Sequence, residues 1–400
     1  MIRISKTTSL LRGIAKGIGR AVLIAILAGL VIFVYMIPQL FVSEEAANYY
    51  CKNIFPGVAF GLNSLSNFSM VSITENVVVI GVLACLILVP VFLVRFVKNW
   101  MKWGLGRALM TVYRVLKPVL IILLIGVTLF QAMHGVNYRR TPVYAKMGLT
   151  GEGYEIEQYE IALNWAFLGM VEARRQLGED YNGVAHMKAS FDEATNHANS
   201  LINEAGALYG WDVSNNYIRA KAVMLSHYWS YTGITGVYDA VIGEANLNTD
   251  YMDITSFPVT LCHEIIHAKG YAREYDAQTA AIIACTLSPR ADFRYAGYYS
   301  IFWNLYSEVS KYASTNDFTM YNYLGDSRFE PVRRDILASK MYDTTLEDNW
   351  VTKIIDSFSE KVNDTFLKSN GQSEGTQTYH VRPNIYVDYF YSYVMVKTDD

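Results

Sequence analysis

The sequence predicts a mainly α-helical membrane protein: three N-terminal helices that cross a bilayer, then a larger α-rich domain with a small β element. Three observations carry this. The first third of the 400-residue chain holds three long apolar runs with almost no charge, and they account for much of its 52% hydrophobic content. Beyond them, apolar positions recur at three and four residues, the helical period. Residues 228–253 are instead aromatic, β-branched and glycine-punctuated, which predicts short strands with turns.

The spans fall near 21–42, 76–97 and 116–133, with Arg95 at the edge of the second and the third the shortest. About 20 apolar residues suffice to cross the hydrocarbon core. The first run follows a basic N-terminus, as in a signal peptide. It is too long for one and lacks a clear small-x-small cleavage site, so it reads as an uncleaved anchor. Arg3, Lys6, Arg12, Lys16 and Arg20 precede this span. Arg95, Lys98, Lys102, Arg107, Arg114 and Lys117 surround the second loop. The 43–75 loop has one lysine against three glutamates. The positive-inside bias puts the N-terminus and the second loop in the cytoplasm, and three spans put residues after 134 outside. The predicted organisation is a 1–134 membrane anchor and a 135–400 extracytoplasmic domain, large enough to bury its own core.

Within that domain, 155–178 and 192–210 read as amphipathic helices, the second ending at a glycine. Residues 217–226 read as another short helix. Residues 288–313 read as a turn and then a helix, and helices are also predicted over 332–343 and 347–368. A loop follows at 370–375, then a tyrosine-rich helix over 376–397 interrupted by Pro383. The four cysteines are Cys51, Cys85, Cys262 and Cys285; Cys85 lies within the second span, and Cys262 and Cys285 are too few for a disulfide framework and read as small buried apolar residues. A net charge of −3 with no basic patch points away from nucleic acid.

The chemistry lies in residues 263–267, HEIIH. On a helix His263 and His267 project from one face, the spacing that holds one zinc ion. Glu264 stands beside them to take a proton from activated water as general base. The pattern predicts a zinc-dependent hydrolase acting on a peptide or protein. A zinc site needs a third protein ligand. The position six residues beyond His267, a histidine in one known pattern, is Arg273 here. The nearest carboxylates are Glu274 and Asp276, and Asp276, opening the run D-A-Q-T-A, is the preferred ligand. Arg294 is a candidate stabiliser of an oxyanion. Lys269, Arg273, Glu274 and Asp276 follow the motif so closely that the site belongs in water, not at membrane depth. The preceding strand region could bind an extended substrate by strand addition.

With HGVNYRRTP after the third span, GITGVY, GEAN, FPVTLCHEIIHAKGYAREYDAQ, SPRADFRYAGY and FLKSNGQSEGTQTY, the chain resembles a bacterial membrane family, domain of unknown function 3810. The resemblance implies a membrane-anchored, gluzincin-like branch of the HExxH zinc metallopeptidases, in the cytoplasmic membrane, with a glutamate as third ligand. The family carries Glu before A-N; here Asp276 precedes Ala277 and Gln278, which keeps an oxygen ligand but shortens it by one methylene. The expected fold is therefore α-rich and zincin-like, with the β element ahead of the HEIIH helix. The alternative is a catalytically inactive, zinc-stabilised binding or scaffold protein of the cell envelope.

Overall fold

A computed structural model describes residues 2–346 and 382–396, with five isolated positions between them. The helix expected over 347–368, the 370–375 loop and the motif FLKSNGQSEGTQTY lie outside the continuous described residues. The chain is mainly helical and divides into two compact units: residues 1–42 with 75–136, and residues 43–74 with 137–400.

The first unit is built from α1 (Ile2–Phe41), α4 (Ile73–Trp103) and α5 (Leu105–Met133). Each has 29 or more residues in a stretch apolar and long enough to cross a membrane. At 1.5 Å per residue that is about 44 Å, more than the roughly 30 Å hydrocarbon core. Their apolar side chains face outward (Val82, Leu86 and Ile87 are all more than half exposed), the reverse of a water-soluble helix. α1 packs along α5, and the Gln131 amide donates to the Tyr35 carbonyl at 2.8 Å. The basic loop expected between the second and third spans shrinks to Gly104, whose φ of 78° suits a residue without a side chain. Lysine and arginine are good helix formers, so both helices run on past their apolar stretches.

In the second unit, residues 43–74 are not the loop that their Asn, Ser and Phe content suggests. They form α2 (Glu44–Asn53), capped by Ser43 accepting from the Ala46 N–H at 3.2 Å, and α3 (Phe55–Asn67). The inner stripe of α3 is Phe55, Ala59, Asn63 and Ser66, too small and polar to register as an apolar periodicity. After the short α6 (Val143–Lys146), α7 (Ile156–Arg175) and α8 (Phe191–Tyr209) match the two expected amphipathic helices. α8 ends in the left-handed Gly210. The expected helix at 217–226 is instead extended. Asn199 on α8 accepts from the Ile218 N–H at 2.9 Å and donates to its carbonyl at 2.8 Å, which occupies the backbone groups a helix would need.

That extended segment leads into β1 (Lys221–Ala222), then α9 (Ser226–Ser230), β2 (Gly236–Asp239) and β3 (Glu244–Leu247). The strand order is β1-β3-β2, with β1 parallel and β2 antiparallel to β3, so the expected β element exists and β2 is an edge. The rest is α10 (Phe257–Ala268), α11 (Glu274–Thr286), α12 (Ala291–Ala313), α13 (Glu330–Thr345) and α14 (Pro383–Tyr389), which continues as a π-helix to Met395. Pro383 thus starts the last described helix and does not interrupt it, because a first-turn proline gives up no helical hydrogen bond.

α10 and α11 sit in the middle of the core, between α8, α12 and the sheet, and almost all their residues are buried. α12 approaches α11 closely at Gly297. A Cβ there would lie 2.8 Å from the Thr286 nitrogen and 2.9 Å from the Cys285 Cβ. The obstacle is partly backbone, so Gly297→Ala is expected to cost about 1–3 kcal/mol, read as a lowered unfolding midpoint.

Candidate metal centre

α10 begins with Pro258 in its first turn and is stopped by Gly270. Gly270 has φ 112°, and the Tyr271 N–H reaches back to the Ile266 carbonyl at 3.2 Å, a six-to-one closure. The chain reverses there and α11 starts at Glu274, whose carboxylate returns to the face of α10.

His263, His267 and Glu274 form a buried triangle. Nε2 of His263 lies 3.0 Å from Nε2 of His267, and Glu274 Oε2 lies 3.0 and 3.3 Å from the two nitrogens. Both outer ring nitrogens face oxygen acceptors: Nδ1 of His263 meets Gln278 Oε1 at 2.9 Å, and Nδ1 of His267 meets the Tyr271 carbonyl at 2.6 Å. Each ring can thus carry a proton outward on Nδ1, which leaves the inward Nε2 as the atom that would ligate a metal. Three lone-pair donors facing one another suit a cation. Ligands at 2.0–2.1 Å in a tetrahedron are about 3.3 Å apart, close to the spacing here. Among the described residues, this trio is a group of histidines and carboxylates able to hold a metal ion.

The protein groups already feel one another. Burial alone would lower the pKa of His267, but the Glu274 carboxylate outweighs it and pushes it up to about 9. Burial works to raise Glu274, and the two histidines overcome it and hold the carboxyl far below its usual range.

Gln278 and Glu274 are four residues apart on one face of α11 and grip the two nitrogens of the His263 ring between them. Gln278→Ala is expected to weaken metal binding roughly 10–100-fold while the fold survives, measured by competition with a chromophoric chelator. Around His267, the Tyr238 ring stacks at 6.2 Å between centroids. The Arg140 guanidinium lies 3.6 Å over the Tyr271 ring and donates to the Gly270 and Asp212 carbonyls at 2.8 and 3.0 Å. The RRTP segment therefore props the turn that carries the acceptor for His267. Nothing in the sequence pattern separates this role from that of a surface arginine.

Glu264 is also buried, against the first residue of β2: a Cβ on Gly236 would lie 2.7 Å from its Oε1. Its carboxylate accepts from the Tyr238 backbone N–H, and its pKa is raised, with burial the largest cause and the two histidines opposing. A carboxylate shifted upward beside a metal site is suited to taking and returning a proton. One helical turn before it, Thr260 lines a cavity of about 190 Å³ shared with Gly233–Thr235, Tyr251, Asp253 and Tyr342.

Two expectations need correction. Asp276, the preferred third ligand, is turned away: it pairs with Arg273 at 2.8 Å and accepts from the Val143 N–H at 2.8 Å. Two residues along a helix is about 200° of rotation, so Glu274 and Asp276 cannot both face α10. Arg294 donates to the Ser288 carbonyl at 2.8 Å and to Gln176 at 2.6 Å, so the structure engages it elsewhere. Glu244 of GEAN is structural too, its carboxylate accepting from Ser66, Ser72 and the N–H groups of Ile73 and Thr74.

The site defines a class of protein in which two histidines one turn apart and a glutamate from the next helix can hold a metal, with a second glutamate beside them. The chain belongs to the family described as protein of unknown function DUF3810, which matches residues 49–385. No curated protein and no solved structure matches it.

Proposed function

We propose that this protein is a zinc metallopeptidase anchored in the bacterial cytoplasmic membrane, with its metal centre on the extracytoplasmic side. The triangle of His263 Nε2, His267 Nε2 and Glu274 Oε2 carries the reading, because two imidazoles and one carboxylate are a donor set that suits zinc and leaves a position open. Zinc, when bound, polarises a substrate carbonyl and brings the pKa of water towards neutrality. Glu264 then accepts the proton of the attacking water and returns it to the leaving amine. Gln278 and the Tyr271 carbonyl keep both imidazoles oriented.

The three-span topology has independent support. Residues 43–74 and 137 onward fold into one unit, so they lie on the same side of any membrane. Two apolar helices, α4 and α5, separate them in sequence, and two crossings return the chain to that side whereas one alone would not.

The test is cleavage of a quenched fluorescent peptide library by the full-length chain in detergent. Cleavage abolished by a zinc chelator and restored by added zinc supports the reading. Zinc bound with no cleavage would replace it with a zinc-stabilised envelope scaffold.

A further inference from the structure

α3 and the loop after it present an apolar surface where a water-facing helix carries charge. No charged residue occurs between Lys52 and Glu75. The inner stripe of α3, Phe55, Ala59, Asn63 and Ser66, is buried in the second unit. On the opposite side Ile54, Phe60 and Leu65 are 48%, 63% and 70% exposed, and Phe68, Met70 and Val71 continue the surface at 90%, 80% and 44%. A helix apolar on both sides is expected to be covered on both sides. The loop has a firm base. Ser66 and Ser72, either side of it, both donate to the buried Glu244 carboxylate at 3.3 Å, and the Lys221 ammonium holds the Ser66 and Ser69 carbonyls.

The connectivity says what covers this surface. Residue 42 follows the end of α1 and residue 73 begins α4, two consecutive helices able to cross a membrane. A segment between consecutive spans leaves and re-enters the bilayer on one side, so residues 43–72 are tethered to that surface at both ends. Uncharged phenylalanine, leucine and methionine beside a span end match the headgroup region, where amphipathic helices bury their apolar face.

We propose that the face formed by Ile54, Phe60, Leu65, Phe68, Met70 and Val71 dips into the lipid headgroup region on the side where α1 ends and α4 begins. The inference rests on the spanning of α1 and α4 in the proposed topology, and not on any catalytic activity. Because 43–74 belongs to the unit that carries the candidate metal centre, the contact would keep that unit at the bilayer surface.

The test uses the full chain in phosphatidylcholine vesicles and one fluorescent thiol label at a time. Cys85 is the exposed native cysteine, within α4, and reports on the span; Cys51, Cys262 and Cys285 are buried. In a Cys85→Ser background, Phe68→Cys or Met70→Cys reports on the surface, and Tyr181→Cys, 96% exposed, on water. Nitroxide lipids labelled near the headgroup are expected to quench most of the fluorescence at positions 68 and 70, and iodide in the water very little. The label at Cys85 should respond to nitroxides deep in the acyl chain and the label at 181 to iodide. Iodide quenching at 68 and 70 with deep-lipid quenching at Cys85 would overturn the inference and leave the spans intact. Iodide quenching at Cys85 as well would remove the spans and the inference together. Positions 68 and 70 shielded from both quenchers would point to a second copy of the chain and would also overturn it.

Discussion

Glu264→Gln is expected to keep about one zinc per chain and to lose peptide hydrolysis by roughly 10²–10⁴-fold, the span of general acid–base catalysis. Glutamine matches glutamate in size, so the tight approach of β2 at Gly236 and the acceptor for the Tyr238 N–H are both retained. What is lost is a group that can take a proton. The two arms are read separately, metal content by elemental analysis and turnover by peptide cleavage. Hydrolysis that survives the substitution would remove Glu264 from the chemistry.

The second large effect separates the two acidic residues at the start of α11. Glu274→Ala removes one of three converging donors, so zinc affinity should fall by more than the roughly 10–100-fold expected for loss of a supporting partner. Asp276→Ala should leave zinc affinity nearly unchanged and destabilise the fold instead. It strips the Arg273 guanidinium of its buried partner and orphans the Val143 N–H. Breaking a buried ion pair costs about 3–5 kcal/mol. Arg273 retains slight solvent access, which favours the lower end of that range. Zinc affinity and unfolding midpoint of the two variants should therefore move in opposite patterns. The reverse result would restore Asp276 as ligand.

This contrast marks where sequence reasoning stops. Histidines four apart, long uncharged runs and a glycine-punctuated β-branched stretch are local patterns, and each maps onto a structural element directly. The third donor depends on the angle at which α11 leaves the Gly270 turn, which is a tertiary property. A weaker signal was present nonetheless. Arg273 with Asp276 at i+3 forms a pair that occupies the aspartate, whereas Glu274 shares its helical face with Gln278, a plausible partner for an imidazole. The helix of 55–67 shows no apolar periodicity because the inner stripe of α3 is small and partly polar. The extended run around Ile218 was set by Asn199, nineteen residues away, beyond the reach of any window on the chain.

The most direct test of the central claim is the zinc content of the full-length protein purified in detergent, beside its His263→Ala variant. About one zinc per chain in the native protein, lost in a variant that remains folded, is the expected result. A folded native protein that takes up no zinc would contradict the account, and the His263–His267–Glu274 triangle would then be a buried proton-sharing cluster without metal chemistry.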